Sequence, residues 1–561
     1  METTIIDRRF KGPLTEERFK LVKEIWIENK GQIPLEKMPL NDPQCIPSAL
    51  AMLSLNSCQA GKWTLCFSLG LEVYKHHAVL PMNYLSLLCE AAQKTNQVHK
   101  LSWTFLQFAE NACREGRYDR ALQCIKQIYT FCGDHEMKMC YQVQRISNLL
   151  ENISAQLPKH SPQFPQNSTK QKPRVAMVTV NLVDHVTAYA KTAMQFARYV
   201  PRDKYDCYLY FMETTLGERP QDFCVQFQTA HSKVRAPDFI KELDQGDTTV
   251  QFCPPLKMTE SCSWLAEQME KDEIDAVIFQ AGVNAPLMWC AAKLTHVPVR
   301  MSLCLGLNMY QEGMDATVYM NNTNLEREME WWNPDWGKQV YIGGGADIHD
   351  AKNTPPKDRA IYNIPEDAIT FGTLSNFLDV RITPEYMDCV AEVLNRCPKT
   401  IFICMGAGDM TEKIAYMKNL GLHDRCRWLG QQRQAFASLK LLDFYFNEFP
   451  IGGSQSIREC ICCGIPATSM RYSEEHHDSV GSDIIGEKHS IMERNPQAYI
   501  EKAVEWATDP VKRQEAADDL YKRAEERFSA QIFIEQICDE MESIAESQNV
   551  LEESLGSLCS N

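Results

Sequence analysis

The sequence predicts an all-α domain followed by two doubly wound α/β domains in tandem. Over residues 1–155, apolar residues recur every three or four positions, which is the spacing of amphipathic helices. From residue 173 onward the pattern changes to short, continuously apolar runs that alternate with helical segments. Such runs are typical of parallel strands that helices cover on both faces. We place the first α/β domain at 173–350 and the second at 351–540.

The helical part contains one segment that is typical of a helix–turn–helix hairpin, "WTFLQFAENACREGRYDRALQCIKQIYTFC". Ala109 and Ala112 precede a Gly-aromatic turn and a second helix, and such small residues let two helices pack closely. The pattern resembles a tetratricopeptide (TPR) hairpin, and a degenerate copy lies 55 residues upstream. We therefore expect an all-α domain at 1–155, and TPR-like repeats are one interpretation of its helices. Residues 156–172 are rich in Pro, Ser, Asn and Gln, which predicts a linker.

Each α/β domain is predicted from its own series of strands. The strands of the first are "RVAMVTVNL", "YDCYLYFM", "IDAVIFQAG" and "VRMSLCLG". Those of the second include "AITFGTLS", "KTIFICMG", "CRWLG" and "DFYFNEF". Amphipathic helices end the second domain, and we expect a polar tail at 541–561. Because ligands bind beyond the carboxyl ends of strands in open parallel sheets, two such domains predict a cleft enzyme.

The composition narrows the possible partners and the compartment. With 561 residues, 44% of them hydrophobic and 24% charged, the chain is typical of globular proteins. Its net charge of −16 argues against broad binding of nucleic acid or anionic membranes. The N-terminus lacks an apolar signal core, and no window of about 18 residues is apolar enough to span a membrane. We therefore expect a cytoplasmic protein whose 23 cysteines are reduced and mostly buried.

A short polar loop follows the predicted strand "DFYFNEF" and precedes the predicted helix "IRECICCG". The first N–H groups of a helix have no intrahelical partner and carry partial positive charge. Glycines let an anion approach the backbone, and Ser and Gln side chains add hydrogen-bond donors. The loop therefore suggests a phosphate-binding turn, with a flexible turn that only caps the helix as the alternative. Its residues are Gly452, Gly453, Ser454, Gln455 and Ser456.

From residue 173 to about 540, the order of segments resembles glycosyltransferase family 41. That family comprises O-linked N-acetylglucosamine transferases and bacterial cytoplasmic N-glycosyltransferases. The similar segments are "RVAMVTVNLVDHVTAYAKTAMQFARYV", "IDAVIFQAGVNAPLMWCAAKLTHVPVRMSLCLGLNMY", "FGTLSNFLDVRITPEYMDCVAEVLNRC" and "LKLLDFYFNEFPIGGSQSIRECICCGIPATSM". The resemblance implies a GT-B-type pair of Rossmann-like domains, with the acceptor side in the first half and the UDP-sugar side in the second.

The resemblance also implies roles for residues of the second half. Residues 453–456, Gly-Ser-Gln-Ser, fall on the family's diphosphate-binding turn, where the typical member has Gly-His-Thr-Thr. Glu459 falls where an acidic residue grips the ribose of the donor, and an ordinary first-turn acid is the alternative. Arg381 falls where the family has a Lys that contacts the diphosphate. A solvated basic residue in a loop is the alternative for Arg381.

Further implied positions lie in the first half and at the end of one strand of the second. His185, with Asp184 beside it, falls on a loop His that faces the sugar. There it could orient the acceptor or accept its proton, and a structural His is the alternative. Gly306 falls in a loop that lines the sugar site. Leu429 and Gly430, within "WLGQQ", fall where the uracil would stack or meet backbone groups.

Three cysteines in "ECICCG", namely Cys460, Cys462 and Cys463, raise the question of a metal site. Zinc needs about four convergent ligands, usually in paired clusters, and no second cysteine pair lies at metal spacing nearby. His476 or His477 could contribute a further ligand. We expect the cysteines to pack inside the protein instead.

Together these features predict an inverting, metal-independent glycosyltransferase that moves N-acetylglucosamine or glucose from a UDP-sugar to a protein or peptide side chain. Arg381 and the N–H groups of the turn would stabilise the leaving phosphate, so no metal or other cofactor is expected. His185 is the candidate base, and the helical domain would dock the acceptor. We expect no nucleic-acid partner. A UDP-sugar epimerase of the same fold and a catalytically inactive nucleotide-sugar-binding scaffold remain the alternatives.

Overall fold

The structure is a computed structural model of the chain. It describes residues 54, 57–58, 60–76, 82–131, 140–158, 171–179, 188–212, 237–254, 256–280, 285–304, 313–321, 337–375, 378–472 and 481–559. Within these ranges, no helix has both the length and the apolar composition needed to cross a membrane.

Helices make up the N-terminal part of the described chain. They are α1 (Trp63–His76), α2 (Met82–Lys94), α3 (Val98–Arg114), α4 (Tyr118–Phe131) and α5 (Cys140–Gln156). The pair α3 and α4 forms the predicted hairpin, and Ala109, Ala112 and Ala121 are buried in its core. Alanine at these positions removes side-chain bulk, which lets the two helices lie close together.

The turn between α3 and α4 has the same backbone hydrogen bonds as the turn ahead of α1, which accounts for the sequence similarity of the two copies. Gly116 has a φ of +70°, and the N–H groups of Gly116 and Arg117 bond carbonyls in the last turn of α3. The same pair of bonds recurs at Gly61 and Lys62 ahead of α1, where Gly61 has a φ of +67°. Both are glycine-terminated helix ends of the Schellman type. The two copies thus share one turn, while their assignment as TPR repeats stays a prediction.

A parallel sheet forms the first α/β half. Its described strands are β1 (Arg174–Thr179), β2 (Asp206–Phe211), β3 (Thr248–Phe252), β4 (Ala276–Gln280), β5 (Val299–Cys304), β6 (Ala316–Tyr319) and β7 (Lys338–Tyr341). They are ordered β3–β2–β1–β4–β5–β6–β7, and every neighbouring pair is parallel. Its helices are α6 (Ala188–Tyr199), α7 (Pro237–Gln245), α8 (Met258–Lys271) and α9 (Ala285–Leu294).

Alternate residues of β1 enter two different cores. Ala176 and Val178 belong to the core that also contains the N-terminal helices, α8 and α9. Val175 and Met177 belong to the core on the opposite face, with α6 and α7. Because both faces of the strand are buried, its sequence is continuously apolar rather than alternating. The N-terminal helices therefore share a core with the first sheet.

A second parallel sheet forms the other half. Its described strands are β8 (Ile369–Ser375), β9 (Thr400–Gly406), β10 (Cys426–Gly430), β11 (Phe444–Phe446), β12 (Ala467–Met470) and β13 (Ser490–Ile491). They are ordered β10–β9–β8–β11–β12–β13. The helices from this half onward are α10 (Ile348–Asn353), α11 (Leu378–Arg381), α12 (Pro384–Arg396), α13 (Thr411–Asn419), α14 (Ala435–Leu439), α15 (Gln455–Cys462), α16 (Gly481–Ile485), α17 (Pro496–Thr508), α18 (Pro510–Arg527) and α19 (Ala530–Cys559).

The strand order determines which loops meet. Strands β8 and β11 are parallel neighbours, so their carboxyl ends lie at the same edge of the sheet. Helix α11, which follows β8, is thereby brought next to the loop that follows β11 and leads into α15. The order also reverses at this pair, which is where doubly wound sheets bind ligands.

The last helix, α19, returns to the first half. Phe533, Ile537 and Met541 are buried in the core that includes β1 and α6. The predicted boundary at 540 lies inside this helix. The predicted polar tail, 541–561, starts in the same helix, which runs to Cys559.

Candidate functional site

The glycine-containing loop lies against the side chains that follow β11. A Cβ atom at Gly452 would stand 2.3 Å from Asn447 Nδ2, and one at Gly453 would stand 2.8 Å from Ser456 Oγ. Real Cβ atoms do not approach other atoms this closely, so a larger residue at either position would have to displace the side chain of Asn447 or Ser456. The glycines thus leave room for these two side chains beside the loop.

Beyond the glycines, the backbone turns into the N-terminus of α15 with several unpaired donors. The N–H of Gly453 donates to Asn447 Oδ1 at 2.8 Å, so it is already used. In the described part of the chain, the N–H groups of Ser454, Gln455 and Ser456 have no acceptor. Ser454 is the N-cap, yet its side chain does not cap these groups. Three donors at the positive end of a helix therefore remain available to an anion.

Arg381, at the end of α11, packs against the same loop. Its Nη1 donates to Ser375 Oγ at 2.9 Å and to the Gly452 carbonyl at 3.2 Å, and it lies 3.4 Å from Glu448 Oε1. Its Nε and Nη2 have no hydrogen-bond partner among the described residues. The structure therefore brings Arg381 to the predicted turn, with part of its guanidinium still unused.

Glu448 is a completely buried carboxylate beneath this arginine. Thr373 Oγ1 donates a hydrogen bond to its Oε2, and Thr373 also pairs with the hydroxyl of Tyr445 at 3.0 Å. Burial and the nearby Glu448 raise the pKa of Tyr445, which therefore stays a neutral phenol. Glu448, two residues beyond the end of β11, offsets the charge of Arg381.

Glu459 lies one turn into α15 and is only 3% exposed. Lys191 Nζ, from α6 in the first half, donates to its Oε1, and Gln455 Nε2 lies 3.4 Å from the same oxygen. Among the described residues, Oε2 has no donor. The predicted ribose-binding carboxylate is thus paired across the two halves through one oxygen, and the other oxygen is left to accept hydrogen bonds.

A cavity of about 240 Å³ lies beside this carboxylate, between α6 and the second half. Its wall combines cationic, amide and aromatic side chains with the carboxylates of Asp347, Asp350 and Glu459, which suits a ligand that is both polar and flat. The lining residues include Lys191, Gln195, Arg433, Ala435, Phe436 and Glu459.

Residues of the loop also hold the two halves together. Gln455 Nε2 donates to the Gly345 carbonyl at 3.0 Å, and Gln195 Nε2 of the first half donates to the same oxygen at 3.1 Å. Ser454 Oγ lies 3.2 Å from Asn321 Oδ1, just after β6. The side chains of Ser454 and Gln455 therefore serve the interface between the halves, while their backbone N–H groups remain unpaired.

Leu429 and Gly430 end β10, as predicted, but their carbonyls already have a partner. Gln432 Nε2 donates to Leu429 O at 2.7 Å and to Gly430 O at 3.1 Å. A base that binds at this strand end would share these carbonyls with Gln432 or use the nearby cavity wall.

Several predicted positions lie outside the described residues. They are Asp184, His185, Gly306, His476 and His477. Their assignments stay predictions.

The cysteines of α15 pack as the sequence suggested. Cys460 and Cys462 are buried and Cys463 is nearly so, and desolvation raises the pKa of all three thiols, to about 12 for Cys463. Over the part of the chain that the structure describes, no group of three or more His, Cys, Asp or Glu side chains is placed to hold a metal ion.

Comparison with known proteins gives a match in structure but not in sequence. No protein-family model and no curated protein matches the chain. A mutant O-GlcNAc transferase from Thermobaculum terrenum is similar over 94% of this chain and 97% of its own, at 14% identity and a TM-score of 0.53. The chain has the GT-B fold.

Two further solved structures are similar at lower scores. A glycosyltransferase from Rickettsia africae is 15% identical, with a TM-score of 0.49, and the match covers 67% of this chain and 99% of its own. Anabaena HepE in complex with UDP is 14% identical, with a TM-score of 0.49, and the match covers 66% of this chain and 100% of its own. The match to the O-GlcNAc transferase, at a TM-score of 0.53, confirms the GT-B architecture that the family resemblance implied.

Sequence reasoning missed three charged residues around this site, namely Lys191, Glu448 and Arg458. Lys191 and Glu459 are 268 positions apart, so no local pattern could have paired them. Glu448 lies inside the predicted strand "DFYFNEF", and a carboxylate within such an apolar run was the available signal. Arg458 is the one cation in α15, and residues 456–462 of this helix, Arg458 included, are all buried.

Proposed function

We propose that this chain is an inverting glycosyltransferase that moves a sugar from a UDP-sugar to a protein or peptide side chain without a metal ion. One observation carries the proposal. Unpaired N–H groups at 454–456, the guanidinium of Arg381 and the carboxylate of Glu459 lie along one loop and the first turn of α15. This order, donors for phosphate followed by an acceptor for hydroxyls, suits a nucleoside diphosphate. An O-GlcNAc transferase of the same fold supports the reaction class.

The leaving phosphate is the part of the donor that the loop would stabilise. In the transfer, the bond between the anomeric carbon and the β-phosphate oxygen breaks while an acceptor oxygen or nitrogen attacks from the opposite face. The electron pair leaves with UDP, and the acceptor proton passes to a base, for which His185 is the prediction. Arg381 and the N–H groups at 454–456 would donate to the phosphate oxygens. Hydrogen bonds to charged groups contribute about 1.5–3 kcal/mol each, which is why a metal ion is not needed.

The nucleoside would occupy the cavity beside α15. Glu459 Oε2 would accept from the ribose hydroxyls, because Oε1 is held by Lys191. The aromatic ring of Phe436 and the side chain of Arg433 line the same cavity and offer surfaces on which a base can stack. The sugar then points toward the first half, where the acceptor would enter.

A second candidate function is a nucleotide-sugar-binding protein without turnover. The observation that favours it is the pairing of both key charges inside the protein. Glu448 lies 3.4 Å from Arg381, and Lys191 holds Glu459. A guanidinium that is already partly neutralised stabilises a leaving phosphate less.

Transfer of label from the donor tests the proposal. The purified chain is incubated with cell-lysate proteins and labelled UDP-N-acetylglucosamine or labelled UDP-glucose in buffer with EDTA. We expect label in protein from one of the donors, and its loss in Arg381→Ala. Arg396→Ala is the matched control, because Arg396 forms an exposed ion pair with Glu501 and should transfer at the parent rate.

Each other outcome has a distinct meaning. Label that stays in UDP-sugar with a changed sugar configuration would support an epimerase. UDP binding without any labelled protein would support the inactive binder. No UDP binding at all would contradict every function that uses a UDP-sugar.

A further inference from the structure

Arg458 is a buried arginine with no acidic partner. Its side chain is 1% exposed, and no carboxylate of the described chain lies within ion-pair distance. Nη1 donates to Ser454 Oγ at 2.8 Å, while Nη2 donates to Met320 O at 2.6 Å and to Asn321 Oδ1 at 2.7 Å. Nε has no partner. Desolvation lowers the pKa of Arg458 to about 10, so the group keeps its charge at neutral pH.

The position of Arg458 on α15 makes this charge still more unfavourable. The helix begins at Gln455, so Arg458 lies in its first turn, where the helix dipole is positive. Buried cations are normally paired, and cations are normally favoured at the other end of a helix. A protein gains from such an arrangement when an anion binds there.

The charges around the loop show what that anion would meet. Arg381 is offset by the buried Glu448, so this pair adds little net charge. Arg458 forms no ion pair, and Asp483 and Glu459 act on its charge only from a longer distance, so the positive charge of Arg458 is only partly offset. It lies directly behind Ser454, whose N–H is one of the unpaired donors.

We propose that Arg458 is a positioning residue for the diphosphate of the donor, acting through Ser454. Nη1 holds the Ser454 hydroxyl oxygen, so the hydroxyl proton is free to turn from Asn321 Oδ1 to a phosphate oxygen. The guanidinium also fixes the start of α15 to the end of β6 in the first half. The inference rests on the proposed function, because it needs a phosphorylated ligand at this turn.

Calorimetric titration of UDP and of uridine separates a role toward phosphate from a merely structural role. In Arg458→Met, we expect UDP affinity to fall at least tenfold while uridine affinity stays within twofold of the parent. Arg458→Lys keeps the charge and should recover part of the loss. The matched control is Arg523→Met. Arg523 is half-buried and packs on the same Phe528 ring as Arg458, but it lies away from the loop.

Ser454→Ala keeps the buried arginine and tests the same contact between Arg458 and Ser454 if Arg458→Met does not fold. We expect a several-fold loss of UDP affinity with uridine unchanged. Equal losses for UDP and uridine, or unchanged UDP affinity in both variants, would overturn the inference and leave the proposed function standing. A parent protein that binds uridine and UDP equally would also overturn it. Failure of the parent to bind UDP would overturn the proposed function and the inference together.

Discussion

Replacing Glu459 with glutamine should weaken the recognition of ribose hydroxyls by the protein. The change keeps the size of the side chain but removes its charge. In the parent, Lys191 and Gln455 use Oε1, and Oε2 is the oxygen that remains for a ligand. Lys191 is 20% exposed, so its ammonium can reach solvent when the carboxylate is gone.

The size of the effect follows from the single free oxygen. A hydroxyl that donates to a carboxylate is worth about 1.5–3 kcal/mol, whereas a neutral hydrogen bond is worth about 0.5–1.5 kcal/mol. In affinity, the first corresponds to about 10- to 150-fold and the second to about 2- to 10-fold. The parent should therefore prefer uridine over 2′,3′-dideoxyuridine by about 10-fold or more, and Glu459→Gln should reduce that preference by about tenfold.

The assay is calorimetric titration of both nucleosides into the parent and Glu459→Gln. Glu501→Gln is the matched control, because Glu501 forms an exposed ion pair with Arg396 away from the cavity. An unchanged ratio in Glu459→Gln would refute the assignment of this carboxylate to the ribose, whatever happened to overall affinity.

Two other substitutions and one chemical modification have definite expected outcomes. Lys191→Met leaves the carboxylate of Glu459 buried and unpaired, which should cost about 2 kcal/mol of stability. A lower thermal unfolding midpoint that Glu459→Gln restores in the double variant would confirm this, and an unchanged midpoint would contradict it. Gly453→Ala places a Cβ 2.8 Å from Ser456 Oγ, so it should cost about 1–3 kcal/mol and weaken UDP binding. Denaturant unfolding and UDP titration that both match the parent would show that the loop is not crowded. Cys463 has its pKa raised to about 12 by burial, so its thiol stays protonated at pH 8 and should resist iodoacetamide until the protein is denatured. Rapid alkylation of the native protein, detected by mass spectrometry, would contradict this.

Most of the sheet could be predicted from the sequence because buried parallel strands are continuously apolar. The run "KTIFICMG" corresponds to β9, Thr400–Gly406, and six of its seven positions are buried. The path of α19 could not be predicted in this way. Its apolar face is typical of any amphipathic helix, and nothing local indicates that Phe533 packs in the first half rather than the second.

Part of the site could be predicted from the sequence, although the structure gives the glycines a different role from the one expected. The turn before α15 and the approach of Arg381 were expected, and the structure shows both. The glycines were expected to admit an anion, whereas the structure shows them crowded by Asn447 and Ser456. The charges of Lys191 and Arg458 could not be placed, because their partners lie far away along the chain.

The central claim is that the turn at 453–456 and Arg381 hold the diphosphate of a UDP-sugar without a metal. Calorimetric titration of UDP into the parent protein in buffer with EDTA tests it most directly. The account predicts binding of one UDP per chain, with affinity at least tenfold weaker in Arg381→Ala. No binding of UDP at millimolar concentration, or equal binding by Arg381→Ala, would contradict it.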